Sequence, residues 1–251
     1  MTMTAPEPAA LSSVPSVERL RVKIFADGAN LEGMAALARD PRIAGFTTNP
    51  TLMRGAGITD YTAFAREVLA AIPGRSISFE VFSDDLDEME RQAREIASWG
   101  EHVYVKIPVS NTRGESTGPL TRTLSQAGVK VNVTALMTLQ QVQDVAESLA
   151  GGAPSYVSVF AGRVADTGRD PVPLMAACVA ALRPQPQIEL IWASPRELLN
   201  VFQADAIGCH IITVTHDVLK KLALVGKDLD QYSLETVTMF HWDAVAAGFS
   251  L

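Results

Sequence analysis

The sequence is poor in the residues that cross-link a chain, hold a metal or anchor it in a membrane. Its two cysteines, Cys178 and Cys209, are far apart in 251 residues and form no CxxC pair. Free thiols in a reducing cytoplasm are therefore expected, with no disulfide framework. The four histidines (His102, His210, His216 and His241) show neither HExxH nor an i, i+4 pair. No metal site and no other cofactor is expected. No apolar run approaches the ~20 residues of a spanning helix. Positive charge is also short, with 21 Lys and Arg against 28 Asp and Glu and a net charge of −7. That excludes the broad basic surface that non-specific nucleic-acid or anionic-membrane binding requires. It leaves room for a local cationic pocket that takes a small phosphate. The first stretch, "MTMTAPEPAALSSVPSVERL", lacks the basic start and unbroken apolar core of a signal peptide, and residues 1–20 read as a flexible arm.

What the chain does have is a large apolar share, 47% against 20% charged residues, enough for a substantial core. After the arm, short β-branched runs alternate with helical patterns. The expected strands are "VKIFA", "GFTTN", "ISFEVF", "VYVKIPV", "VKVNVTAL", "YVSVFAG", "IELIWAS" and "HIITVT". The helix-like segments between them include "NLEGMAALARD", "DYTAFAREVLAAI", "DDLDEMERQAREIASWG", "TLQQVQDVAESLAGG" and "SPRELLNVFQADAIG". Asp85 and Thr138 are expected caps, and "SPRE" suggests Ser194 as a cap with Pro195 at the first helical position. Eight strand–helix units predict a closed parallel (β/α)₈ TIM barrel in one domain over residues 21–251, ending in a C-terminal helix; an open doubly wound sheet is the alternative. The terminal segment, with Met239, Phe240, Trp242 and Phe249, suits packing on the barrel or on a neighbouring subunit of a homo-oligomer.

The middle strands carry an unusual second face. In "YVKIPV", Val105, Ile107 and Val109 alternate with Tyr104, Lys106 and Pro108, and the same period of two runs through the neighbouring strands. The aliphatic face fits beneath helices. The other face places Glu80, Lys106, Asn132, Thr134 and Ser158 on four successive strands, with Asp27 ending the first strand and Asn49 ending the second. All lie toward the carboxyl ends of the strands, where barrel active sites assemble. Such groups are costly inside a barrel unless they satisfy one another or a ligand. Glu80 and Lys106 alone have an internal ion pair as their alternative reading. As a set, the residues point to an amine used on a carbonyl substrate, with a carboxylate placed one water away to pass protons.

The motifs "ADGAN", "GFTTNPTLM", "SFEVF", "YVKIPV", "NVTALMT", "SVFAGRVADTG" and "WASPREL" resemble the transaldolase family in order and spacing, over nearly the whole chain from about Val22. The resemblance implies that Lys106 forms a Schiff base with a ketose phosphate and that Asp27 moves the proton of the substrate hydroxyl. It implies that Glu80 and Thr134 hold the water of carbinolamine dehydration, and that Asn49, Asn132 and Ser158 bind the dihydroxyacetone hydroxyls. Arg163 and Arg196 would bind phosphate, and Arg196, read as lying at a helix start, suits an anion there. Arg113 and Arg169 are further basic loop residues. Gly28 departs from the pattern, which usually has Thr after the first-strand Asp. A related aldolase acting on fructose 6-phosphate tends to have Gln and Tyr where this chain has Glu80 and Phe160, so transaldolase is the expected activity. The alternatives are that aldolase and a non-catalytic sugar-phosphate-binding barrel. The expected partners are sugar phosphates, with no nucleic acid and no membrane.

Overall fold

The computed structural model describes residues 15–251. Eight parallel strands close into a barrel in sequence order. They are β1 (Lys23–Asp27), β2 (Ile43–Thr47), β3 (Ser76–Glu80), β4 (Val103–Pro108), β5 (Val131–Leu136), β6 (Ser155–Val159), β7 (Ile188–Trp192) and β8 (Ile211–Thr215). The helices are α1 (Leu31–Leu37), α2 (Pro50–Gly55), α3 (Tyr61–Ala71), α4 (Leu86–Ala97), α5 (Gly118–Gln126), α6 (Leu139–Ser148), α7 (Ala161–Ala165), α8 (Pro171–Leu182), α9 (Leu199–Ala206), α10 (His216–Lys220) and α11 (Leu229–Ala247). The closed barrel replaces the open-sheet alternative.

Local chemistry sets many of the boundaries. Asp85 caps α4 by accepting from the Glu88 amide, and Thr138 opens α6 in a reciprocal capping box with Gln141. The Ser194 cap is not observed. There α9 starts only at Leu199, because the Asn200 side chain accepts from the amides of Arg196 and Glu197 and holds that segment in an irregular turn. The expected helix over "SPREL" is therefore shorter at its front end.

The two faces of the strands separate as their alternation predicts. Ile77, Phe79, Val105, Ile107, Val131, Val133, Val157 and Val159 are fully buried, the place of side chains that a helical layer covers. Toward the N-terminal end of the barrel the interior is filled by aromatic rings. Tyr104 stacks on Tyr156 at 3.9 Å, and Phe25 meets Tyr156 edge-on at 5.7 Å. Gly45 belongs to this layer: a Cβ there would lie 2.7 Å from the Phe25 ring. This plug leaves the opposite end of the barrel for polar side chains. Both cysteines are buried, and burial pushes their thiols up, Cys178 to about 11 and Cys209 to about 12.

Residues Leu20–Lys220 form the barrel unit, and Lys221–Leu251 fall in a second unit. Most of the expected arm lies outside the described residues; Val17–Arg19 form one 3₁₀ turn. Helix α11 is capped by Asp228 and closed by Gly248 in the left-handed conformation, and none of its side chains is buried within the chain. Among the described residues no helix is long and apolar enough to cross a membrane.

Candidate active site

The polar side chains converge because the strands are in register. Glu80 pairs with Lys106 across β3–β4, Lys106 with Asn132 across β4–β5, and Asp27 with Thr47 across β1–β2. Above them opens a cavity of about 440 Å³ lined by Asp27, Asn49, Glu80, Lys106, Thr134 and Ser158, with Phe160 and Arg163 on its wall.

Lys106 is 6% exposed, and its Nζ lies 3.0 Å from Glu80 Oε2 and 3.2 Å from the Thr48 carbonyl oxygen, to which it donates. The water expected between amine and carboxylate is thus not needed to connect them. Neighbours in direct register on adjacent parallel strands bring the two side chains into contact. One proton moved across that contact converts an ion pair into a neutral amine and a carboxylic acid, with no charge left alone in the cavity.

Asp27 stands on the other side of the cavity. Burial holds its carboxyl above the usual carboxylate range, opposed by Lys106, then by the Thr47 hydrogen bond, then by His216. Thr47 Oγ1 donates to Asp27 Oδ1 at 2.7 Å. Having given its only proton there, Thr47 must accept from Thr213, whose hydroxyl lies against it. Thr213 and Thr47 were not singled out in the sequence, although both fall on the inward period of their strands.

Thr134 Oγ1 is buried without a hydrogen-bond partner and lines the cavity. Such an atom is unfavourable unless a water or ligand reaches it. Its position depends on a bulge: the β5–β6 register shifts between Val133 and Leu136, and Ala135 takes φ 65°. Ser194 also lines the cavity at φ 56°. Left-handed backbone at two residues with side chains costs about 1–2 kcal/mol each and gathers here at the site.

The remaining expected residues divide. Asn49 caps α2 by accepting from the Leu52 amide and lines the cavity. Ser158 lines it as well. Asn132 is fully buried below, where its amide donates to Ser78 and its carbonyl accepts from Ser158, so it orients Ser158 and is not among the lining residues. Arg163 lines the wall with its guanidinium 5.1 Å over the Phe160 ring. Arg196 does not. It precedes α9, and its Nε donates to Asp166 at 2.9 Å with a second contact between Nη2 and the same carboxylate. The expectation of a helix-start anion site at Arg196 is therefore corrected. Arg113 is occupied by Asp84 and Glu115, away from the cavity. Arg169 bonds to Thr167 and lines a separate groove with Arg163. Among the described residues no cluster of three or more His, Cys, Asp or Glu side chains could hold a metal.

Residues 24–250 match the family model described as transaldolase/fructose-6-phosphate aldolase. A probable transaldolase of Dehalococcoides mccartyi is 35% identical over 202 residues, covering 80% of this chain and 90% of that one. A probable transaldolase of a Thermoanaerobacter species is 33% identical, covering 80% and 89%. Among solved structures, a putative lyase/mutase from Burkholderia cenocepacia superposes with a TM-score of 0.57 at 15% identity, covering 82% of this chain and 80% of that one, a likeness of fold alone.

Proposed function

The chain belongs to the transaldolase/fructose-6-phosphate aldolase family, and from that membership we propose that it transfers a dihydroxyacetone unit between sugar phosphates through a Schiff base on Lys106. The observation that carries this reading is the buried Lys106–Glu80 contact facing Asp27 across one cavity. The neutral amine adds to the keto carbon of a ketose phosphate such as fructose 6-phosphate. Glu80 then protonates the carbinolamine hydroxyl, which leaves as water near Thr134, and the iminium forms. Asp27 takes the proton of the hydroxyl on the carbon of the breaking bond that becomes the aldehyde. The carbon–carbon electron pair moves into the iminium, an aldose phosphate departs, and an enamine stays on the lysine. Attack of the enamine on an acceptor aldehyde reverses these steps, with Asp27 returning its proton to the new hydroxyl. Hydrolysis then releases the longer ketose and the amine.

Phe160 supports transfer over simple aldol release. No phenol lines the cavity among the described residues, so the enamine has no aromatic hydroxyl beside it to protonate the carbon and free the three-carbon unit. The phosphate is assigned chiefly to Arg163, for which no carboxylate among the described residues competes, while Arg196 stays engaged by Asp166. Arg163→Gln is accordingly expected to raise KM for phosphorylated ketoses about tenfold, the worth of one charge-assisted pair. Arg196→Gln should change it less than about threefold, since it removes an exposed pair. Steady-state kinetics on both variants checks the ranking, and equal effects would contradict it.

The reading is tested by following glyceraldehyde 3-phosphate from fructose 6-phosphate with and without erythrose 4-phosphate over many turnovers. Release that needs the acceptor, matched by sedoheptulose 7-phosphate, is expected. Sustained release without the acceptor would make the enzyme an aldolase. No release in either case would leave a sugar-phosphate-binding barrel.

A further inference from the structure

His216 opens α10 directly after β8, whose last residue, Thr215, pairs with Asp27 across the β1–β8 ladder. Its imidazole is seated where two side chains are missing. A Cβ on Gly33 would lie 2.6 Å from the ring Cε1 and 3.2 Å from Nδ1, closer than packed atoms come. A Cβ on Gly28 would lie 3.5 Å from Nε2, an ordinary contact that leaves no space for further branches directed at the ring. Gly28, the one departure noted in the first motif, thus has a counterpart in this side chain. The Nε2 atom is nevertheless buried and has no hydrogen-bond partner among the described residues. A ring accommodated by two glycines, with its polar atom left unpaired next to the backbone of a reacting carboxylate, calls for more than packing to account for it.

We propose that His216 is a positioning residue for Asp27: its ring, packed against Gly28 and seated in the space left by Gly33, fixes the turn that follows the carboxylate. The inference rests on Asp27 being the base of the reaction proposed above.

The electrostatics agree with the geometry. Burial lowers the basicity of His216, as does Lys220, while Asp217 and Asp27 oppose the shift. His216 in turn helps to draw Asp27 down toward the ionised form. The other charged groups around the pair are Lys106 on β4, which faces Asp27, and Glu32 on α1, which is exposed next to Gly33. An N–H dipole and an imidazolium act in the same direction on a neighbouring carboxylate. Removing the ring should therefore raise the pH at which Asp27 becomes competent.

The test compares His216→Leu and His216→Gln with the unaltered protein in three measurements: reductive trapping of fructose 6-phosphate on Lys106, kcat/KM for acceptor-dependent transfer from pH 5 to 9, and the thermal midpoint. Trapping should be retained, because imine formation does not use Asp27. In His216→Leu the acid limb should move up by about half a unit to one unit, so that the rate on that limb falls about three- to tenfold while the alkaline plateau stays within about twofold. His216→Gln keeps an N–H donor and should shift the limb less, and it provides the reading if the leucine variant does not fold. A lower midpoint with a uniform loss of rate and an unmoved acid limb would reduce His216 to packing and overturn the inference while the reaction stands. Absence of trapping in the unaltered protein would overturn the reaction itself.

Discussion

Lys106→Ala should abolish turnover, by about 10⁴-fold or more, because no other amine among the described residues lines the cavity to take up the carbonyl. The same substitution breaks a buried pair and leaves Glu80, whose side chain is 15% exposed, without its cation. Removing one partner of such a pair costs about 3–5 kcal/mol. That is a large part of an ordinary folding stability but below most of its range, so the variant should still fold. The two effects can be separated. Pairing Lys106→Met with Glu80→Gln removes both charges and keeps similar volumes, so the double variant should recover most of the lost stability and none of the activity. Denaturant titration beside a coupled assay reads both quantities. Normal turnover in either lysine variant would exclude the mechanism.

Asp27→Asn should separate the two halves of the reaction. The amide keeps the shape of the carboxylate and can still accept from Thr47, but it cannot take a proton from the substrate hydroxyl. Carbon–carbon cleavage should fall about 10²- to 10⁴-fold, while the ketose should still be trapped on Lys106. A stability effect of opposite sign is expected. Burial raises the carboxyl in the folded state, so the native protein holds this proton more firmly than the unfolded chain. Stability is then lost as pH rises from the unfolded value through the raised folded value, and at neutral pH the buried carboxylate is a net cost. Asp27→Asn should therefore be more stable than the parent at pH 7, with the advantage vanishing below the unfolded carboxylate range. Loss of trapping along with cleavage would refute the division of labour between Asp27 and Lys106.

Much of this arrangement could be read from the sequence, for a specific reason. Strand alternation has a period of two, so "YVKIPV" and "NVTALMT" reveal which side chains share the barrel interior before any register is known. The register then does what alternation cannot: it sets Glu80 against Lys106 directly and sinks Asn132 between Ser78 and Ser158, out of the cavity lining. Helices whose apolar stripe is narrow were also visible in the pattern. Helix α8 was not, because "PVPLMAACVAAL" is apolar almost all round and has no stripe to detect. Arg196 shows the limit of local cap signals. "SPRE" has the right letters, but Asn200 takes the amides that a cap at Ser194 would have used. His216 was equally hidden, since its role depends on glycines about 190 residues earlier in the chain.

The claim on which the account stands is that Lys106 is the covalent handle. Fructose 6-phosphate and borohydride should be added to the unaltered protein, and the peptides read by mass spectrometry. A reduced sugar adduct on the peptide containing Lys106, absent without the ketose and absent in Lys106→Met, is the predicted result. An unmodified Lys106 in a protein that still turns over the ketose would contradict it.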